Sequence, residues 1–301
     1  SVSNQCKITL NALYIQTILS GRLTYNDELI DWCDLVVPCG GDGTFLLAAS
    51  RLPFANKTCF PVIGFNSAPH KSIGRLCLPT WCSNDVKGAL QALKEVRPSV
   101  VLDFTAVALV LIVLKTSTVA LMPLRILLDV FIGESVTSRV SLLRLQIDNG
   151  KWTHTKSSGL CVTTGTGSTS WHYSINCLRT HSVLDLMRTL KEEFGVNMDV
   201  TLEKAREVAE RYNQKLMFPP ESNQMAYSVR EYITFEEWPA PRGLRGRDRA
   251  DSVRVRSHCA DAGLVIDGSV SFPFNDGTEA LLEIHPEDSL MTVQMDDALP
   301  Y

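Results

Sequence analysis

Hydrophobic positions in the first third of the chain recur with helical spacing in some stretches and run continuously in others. Ile8, Leu13, Ile15, Ile18 and Leu19 give one apolar side to a helix over 9–19. Leu29, Ile30 and Trp32 give an inward face to a shorter helix over 27–34. Leu35, Val36 and Val37 form a brief apolar run that ends in a glycine-rich turn, and a helical pattern over 44–51 follows directly. Pro61 to Phe65, PVIGF, predicts a second buried strand, and 85–96 an amphipathic helix. Short apolar strands alternating with helices predict an α/β domain with a parallel sheet.

From about Val100 apolar and polar positions alternate instead. Strands are predicted at 140–147 (VSLLRLQI), 252–256, 264–266 and 280–284. The turn signals Asp148-Asn149-Gly150, Asp267-Gly268 and Asn275-Asp276-Gly277 separate these runs. Helical patterns interrupt them over 169–194 and 202–216. The greasiest stretch, Phe104 to Leu114, is shorter than the roughly 20 residues of a membrane-spanning helix and predicts a buried strand or strand pair. Trp238 to Ala250 is rich in Pro, Gly and Arg and predicts a mobile loop. The expected organisation is α/β plus mainly β: an α/β domain over 1–98 and a β-rich domain over 99–301 with helices at about 169–216, its tail packing back on the first domain.

Composition narrows the function classes. With 45% hydrophobic residues a sizeable core can be buried, which excludes general disorder. The net charge of −4 gives no footprint for nucleic acid or an anionic membrane, so phosphate must be bound locally, by backbone and a few side chains. Nine cysteines show no repeated spacing, and the close pairs Cys33/Cys39 and Cys77/Cys82 lack the partners of a zinc site. Buried free thiols in a reducing compartment are expected. The start SVSNQCKITL reads as neither a signal peptide nor an initiating Met, as in a processed or partial chain. Arg242, Arg245, Arg247 and Arg249 read as a solvated loop, or more sharply as a guide for nucleotide phosphates. His172 is given no role.

The strongest chemical signal is Cys39-Gly40-Gly41-Asp42-Gly43-Thr44, directly after an apolar run. Three glycines around one Asp let the backbone approach a ligand, and a helix start adds its positive end, which together seat a phosphate. A carboxylate repels phosphate, so Asp42 reads as a base or a holder of Mg²⁺. The plain alternative is a tight turn with Asp42 capping the helix. A second cluster, Thr163-Thr164-Gly165-Thr166-Gly167-Ser168-Thr169, offers hydroxyls and glycines to a polyanion or a ribose; its plain alternative is a flexible polar loop. One cluster per domain predicts a cleft between domains.

GGDGT at 40–44, GFN at 64–66 and TGTGSTSW at 164–171 occur in the order and spacing of the NAD kinase family, which the chain resembles from about Thr9 to Leu290. LVVPCGGDGTFLLAAS, RLCLP, VFIGES, KSSGL, RYNQ, SVRE and FNDG look like its mitochondrial branch. The GGDGT motif is shared with lipid kinases of the diacylglycerol and sphingosine type, a lower-ranked alternative. The resemblance implies a Rossmann-like nucleotide-binding domain followed by a β-rich domain, and phosphorylation of the adenosine ribose 2′-hydroxyl of NAD by ATP with Mg²⁺. It implies Asp42 as the catalytic base. It further implies nucleotide contacts from Gly40, Gly41, Gly43, Thr44, Asn66, Asp129, Thr164, Gly165, Thr166, Gly167, Ser168, Thr169, Ser170, Trp171 and Ser174. A homodimer in the mitochondrial matrix is implied on the same ground, and the charge balance and the short apolar stretch predict no nucleic-acid or membrane partner. Two departures stand out. Leu128 and Asp129 occupy the place of the family's Asn-Glu. The family's first strand is absent and 20–24 is too short for its second, so an incomplete nucleotide domain, and with it an inactive binding or dimerisation module, is the competing expectation.

Overall fold

The computed structural model describes residues 1–50, 52, 61–71, 74–94, 103–107, 110–115, 124–126, 128–233, 244–285 and 290–295. Its elements begin with α1 (Val2–Ala12), α2 (Asp27–Trp32), β1 (Cys39–Gly40), α3 (Asp42–Ala49), β2 (Phe65–Asn66), α4 (Thr80–Asn84) and α5 (Val86–Lys94). There follow β3 (Asp103–Val107), β4 (Val110–Lys115), β5 (Leu124–Ile126), β6 (Asp129–Glu134), β7 (Ser141–Ile147), β8 (Thr153–Ser157) and β9 (Gly159–Thr163). A 3₁₀ turn at Thr166–Thr169 leads to α6 (Trp171–Asn176), α7 (Thr180–Glu192) and α8 (Leu202–Gln214). The last strands are β10 (Met225–Arg230), β11 (Arg247–Ala250), β12 (Ser252–Ser257), β13 (Ala262–Ile266), β14 (Val270–Pro273), β15 (Glu279–Ile284) and β16 (Leu290–Gln294). The chain divides into two compact units, Ser1–Val107 with Glu287–Tyr301, and Ala108–Pro286.

In the first unit β1 and β2 pair in parallel, Cys39 opposite Phe65 and Gly40 opposite Asn66. Single parallel bridges join Val36 to Val62, Val62 to Thr292 and Gly64 to Cys77. The strand expected at 35–37 thus lies partly in a bridge and partly two residues later. Its neighbours form an apolar core: Cys6 and Leu10 of α1, Ile63 and Phe65, Leu78 and Cys82, Ala89 and Leu90 of α5, and Val293 of β16. β16 runs antiparallel to β3, and Thr292 Oγ1 donates to the Val62 carbonyl at 2.9 Å.

Two helix expectations need correction. The first helix covers Val2–Ala12, not 9–19. It ends because Tyr14 turns left-handed (φ 62°), with Ile15 N–H donating to Leu10 O and Tyr14 N–H to Asn11 O, the paired bonds of a Schellman stop. Its buried face is Cys6 and Leu10. Ile8 and Ile18 are exposed, so the apolar spacing that suggested a longer helix straddles the stop. In α2 only Ile30 is fully inside, whereas Trp32 is exposed rather than inward. Asn26 caps that helix, its Oδ1 accepting from Leu29 N–H at 3.1 Å.

The second unit holds two six-stranded sheets, ordered β11-β10-β9-β6-β13-β14 and β5-β4-β15-β12-β7-β8, with antiparallel pairing throughout. One apolar layer fills the space between them, with Val130, Ile132, Leu160, Val162 and Leu264 from one sheet and Leu143, Leu145, Val253, Val255 and Leu282 from the other. Alternation in sequence becomes alternation in burial: β12 and β13 bury every second residue. The hairpin turns obey their residues, with Asp148 and Asn149 at φ 47° and 58°, and Asp267 and Gly268 at 47° and 65°. α7 and α8 pack on each other through Val183, Met187, Ala205 and Ala209, forming the helical insertion between β9 and β10. The loop expected over 238–250 is a strand from Arg247, paired with β10; 238–243 lie outside the described residues. Arg249 stacks over Phe218 and Arg247 bonds Tyr212 Oη at 2.9 Å, so these two arginines have aromatic partners, while Arg245 is exposed beside Asp248. Arg242 lies outside the described residues.

Candidate functional site

In the first unit the GGDGT segment joins β1 to α3. The helix starts earlier than its pattern suggests: Gly41 is the N-cap and Asp42 the first helical residue. Asp42 therefore does not cap the helix. Its Oδ1 accepts the backbone N–H of Leu76 at 2.9 Å, which leaves Oδ2 open among the described residues. In the first turn Thr44 N–H donates to the Gly41 carbonyl at 2.9 Å, whereas the Asp42 and Gly43 N–H groups precede any intrahelical acceptor, and Gly43 and Thr44 are exposed. Gly40 allows this geometry because a side chain there would overlap Thr44. Asn66, opposite Gly40 in the parallel pair, is buried, and its Oδ1 accepts from Ala68 N–H at 3.1 Å. Gly40, Gly41, Asp42, Gly43, Thr44 and Asn66 thus gather at the ends of two short strands.

In the second unit β9 is buried along its whole length and delivers Thr163 and Thr164 to the Leu128 carbonyl. That oxygen accepts from Thr163 Oγ1 at 2.9 Å, Thr164 N–H at 2.9 Å and Thr164 Oγ1 at 3.3 Å. Gly167 lies close against it, where any side chain would collide with Leu128 O. Gly165 N-caps the 3₁₀ turn, and Ser168 Oγ accepts from Phe218 N–H at 3.2 Å. Thr166 differs from its neighbours. Its Oγ1 is buried with no hydrogen-bond partner among the described residues, which costs about 1–3 kcal/mol unless a ligand supplies one. Thr169 and Ser170 are half-buried, and Ser174 Oγ donates to the Ser170 carbonyl from the exposed side of α6.

Asp129 opens β6 opposite Thr163 and is 8% exposed. Burial pushes its carboxyl up to about 6; the nearby Asp267 carboxylate adds to this, and the Trp171 N–H works against it. Trp171 stacks on Phe131, with ring centroids 4.4 Å apart, and keeps an exposed edge. Asp129, Thr164 to Ser170 and Trp171 therefore form one cluster around the Leu128 main chain.

Sequence reasoning missed the residues that hold these clusters. Leu76 acts through its backbone N–H, which no pattern announces. In the sequence Asp267 signals only a turn, yet its Oδ1 accepts from both Leu128 N–H (2.9 Å) and Asp129 N–H (3.1 Å). His172 is buried, with Nδ1 at 3.1 Å from Ser228 Oγ; burial and the charges of Arg247 and Arg249 push it down to about 4, so it is a neutral packing residue.

Two solved pyridine-nucleotide kinases share this fold. The chain matches yeast NADH kinase complexed with NADH at a TM-score of 0.61 and 16% identity, covering 88% of this chain and 62% of that one. It matches an Archaeoglobus fulgidus NAD kinase in complex with ATP at a TM-score of 0.61 and 18% identity, covering 98% and 89%. No family model matches the sequence. Mitochondrial NAD kinase 2 of Homo sapiens is 35% identical over 314 residues, 94% of this chain and 70% of that protein. The Rattus norvegicus protein of the same name is 34% identical over 93% of this chain and 72% of its own length. The chain belongs to the NAD kinase family, with the mitochondrial enzymes among its relatives. The lipid-kinase alternative falls away.

Proposed function

We propose that the chain phosphorylates the adenosine ribose 2′-hydroxyl of NAD with ATP, giving NADP. The observation that carries this reading is the carboxylate of Asp42, fixed at one oxygen by Leu76 N–H and open at the other, at the start of α3. In that role Oδ2 takes the hydroxyl proton as the phosphoryl group transfers. The Asp42 and Gly43 N–H groups and the Thr44 hydroxyl bind phosphate oxygens. Asn66, Asp129, Thr164 to Trp171 and Ser174 bind the nucleotides. The orphaned Thr166 hydroxyl supports this, because a nucleotide hydroxyl or phosphate would satisfy it.

Mg²⁺ accompanies ATP in this reading and supplies charge neutralisation. Among the described residues no cluster of three His, Cys, Asp or Glu could cage a metal. The donor set fits an ion carried by the ATP phosphates and not one caged by the protein. We further read the protein as mitochondrial, after its relatives, and as a homodimer. Leu186, Leu202 and Val208 on α7 and α8 are exposed and apolar, as an interface between copies requires. No helix among the described residues is long and apolar enough to cross a membrane.

The test is NADP formation by the purified chain from NAD and Mg-ATP, with Asp42→Asn beside it. The variant is expected to lose roughly 10²-fold or more in rate and to keep NAD affinity within a few-fold. A variant of near-normal rate removes Asp42 from the chemistry. A wild-type chain that binds NAD without making NADP is an inactive nucleotide-binding module.

A further inference from the structure

Three cysteines lie against the GGDGT loop. Cys6 is on the buried face of α1, and Cys39 is the first residue of β1, immediately before Gly40. Their sulfurs are 3.8 Å apart. Cys77 donates to the Gly40 carbonyl at 3.7 Å and follows Leu76, whose N–H holds Asp42. Cys39 is half-buried and Cys6 almost wholly buried, so a small solute reaches Cys39 first. When Cys39 gives up its proton, Cys6 can donate to the thiolate. This holds Cys39 below the usual thiol range and pushes Cys6 above it.

We propose that Cys6 and Cys39 form a redox modification site: a small hydroperoxide closes them into a disulfide that ties α1 to the strand entering the GGDGT loop and slows phosphoryl transfer. The Cys39 thiolate attacks the O–O bond and becomes a sulfenic acid, while the departing oxygen takes a proton and leaves as an alcohol, or as water from hydrogen peroxide. The Cys6 sulfur then attacks the sulfenic sulfur. An S–S bond forms, the S–O bond breaks, and the hydroxide leaves with the Cys6 proton as water. The two thiols are oxidised by two electrons and the peroxide is reduced by two. A dithiol reverses the bond by exchange.

The consequence for rate follows from the absence of slack around Gly40. The sulfurs must close from 3.8 Å to a bond of about 2.05 Å, which draws on the Cys39 backbone. Gly40 is pinned by Asn66 on one side, by the Cys77 thiol on another, and by Thr44 where its own side chain would be. Displacement at Cys39 therefore passes into Gly41 and Asp42. Misplacing a catalytic group by about 1 Å can cost on the order of 10²-fold. The effect on rate rests on the kinase reading of Asp42; the disulfide itself does not.

The experiment treats the full chain with stoichiometric hydrogen peroxide, blocks remaining thiols, and maps peptides without reduction. NADP formation is measured before oxidation, after it, and after dithiothreitol. The expected result is a Cys6–Cys39 linked peptide and a rate lowered at least about tenfold, restored by the dithiol. Cys39→Ser, at the half-buried position, should form no link and keep its rate through oxidation; Cys6→Ala should do the same. Recovery of both cysteines unlinked in the oxidised wild type overturns the site, whether or not either variant folds. A linked peptide with unchanged rate overturns the control of catalysis. If the reduced chain makes no NADP, the kinase reading fails, and the linked peptide alone decides the disulfide.

Discussion

A buried carboxylate reports its environment through pH. The folded state raises Asp129 from an ordinary value to about 6, so the folded chain holds a proton that the unfolded chain releases near 4. Below about pH 4 both states are protonated and nothing is lost. Between 4 and 6 the unfolded state ionises first and stability falls with rising pH; above 6 the cost is constant, at most about 3 kcal/mol. Asp129→Asn removes it. The variant should be more stable than wild type above pH 6 and indistinguishable from it near pH 4. His172 titrates across an overlapping window with the opposite sign, because its folded value lies below its unfolded one, but it is common to both proteins and cancels. Urea melts at the two pH values decide the matter, and equal midpoints at pH 7.5 would show that Asp129 is ionised at little cost.

At the scale of elements, the site depends on main-chain atoms set by neighbouring strands. Leu128 acts through its main chain, its carbonyl and N–H forming the hub. The carbonyl holds the Thr163-Thr164 end of β9, and the N–H is held by the β13–β14 turn through Asp267. Asp267→Ala deletes one acceptor shared by two backbone N–H groups, at about 1–3 kcal/mol for the groups left unpaired. The start of β6 should loosen with it. A lowered melting temperature together with weaker NAD binding by calorimetry is expected. Unchanged affinity in a folded variant would separate Asp267 from the nucleotide cluster. The turn was legible in sequence as Asp-Gly after an apolar run; its reach across to Leu128 was not, because side-chain acceptors leave no periodicity.

On the scale of the whole molecule the two units are built to different standards. The second has one continuous apolar layer between two six-stranded sheets. The first rests its candidate catalytic segment on two strands of two residues each. Local opening follows the amount of packed, paired structure that must be broken. Native-state hydrogen exchange should therefore be slowest in β6, β9, β12 and β13 and faster at Cys39–Gly40 and Phe65–Asn66. Equal protection in both groups would contradict this ranking.

The sequence alone determined which residue types meet which chemistry. Alternation with turn-forming Asn, Asp and Gly specified β7, β12, β13 and β15 of the second unit, because burial on one face imposes a period of two and hairpin turns impose positive φ. Glycines around Asp42 specified a close backbone approach, because only a missing side chain permits one. Tertiary structure decided the rest. It ended the first helix at Tyr14, where capping bonds overrode a spacing that continued past it. It turned part of an Arg-rich segment into an edge strand paired with β10, where Tyr212 and Phe218, brought from elsewhere in the chain, meet Arg247 and Arg249. It placed Leu76 on Asp42, Asp267 on Leu128 and Cys6 beside Cys39. Each of these is a contact between distant residues, and only the packing of strands and helices sets such distances.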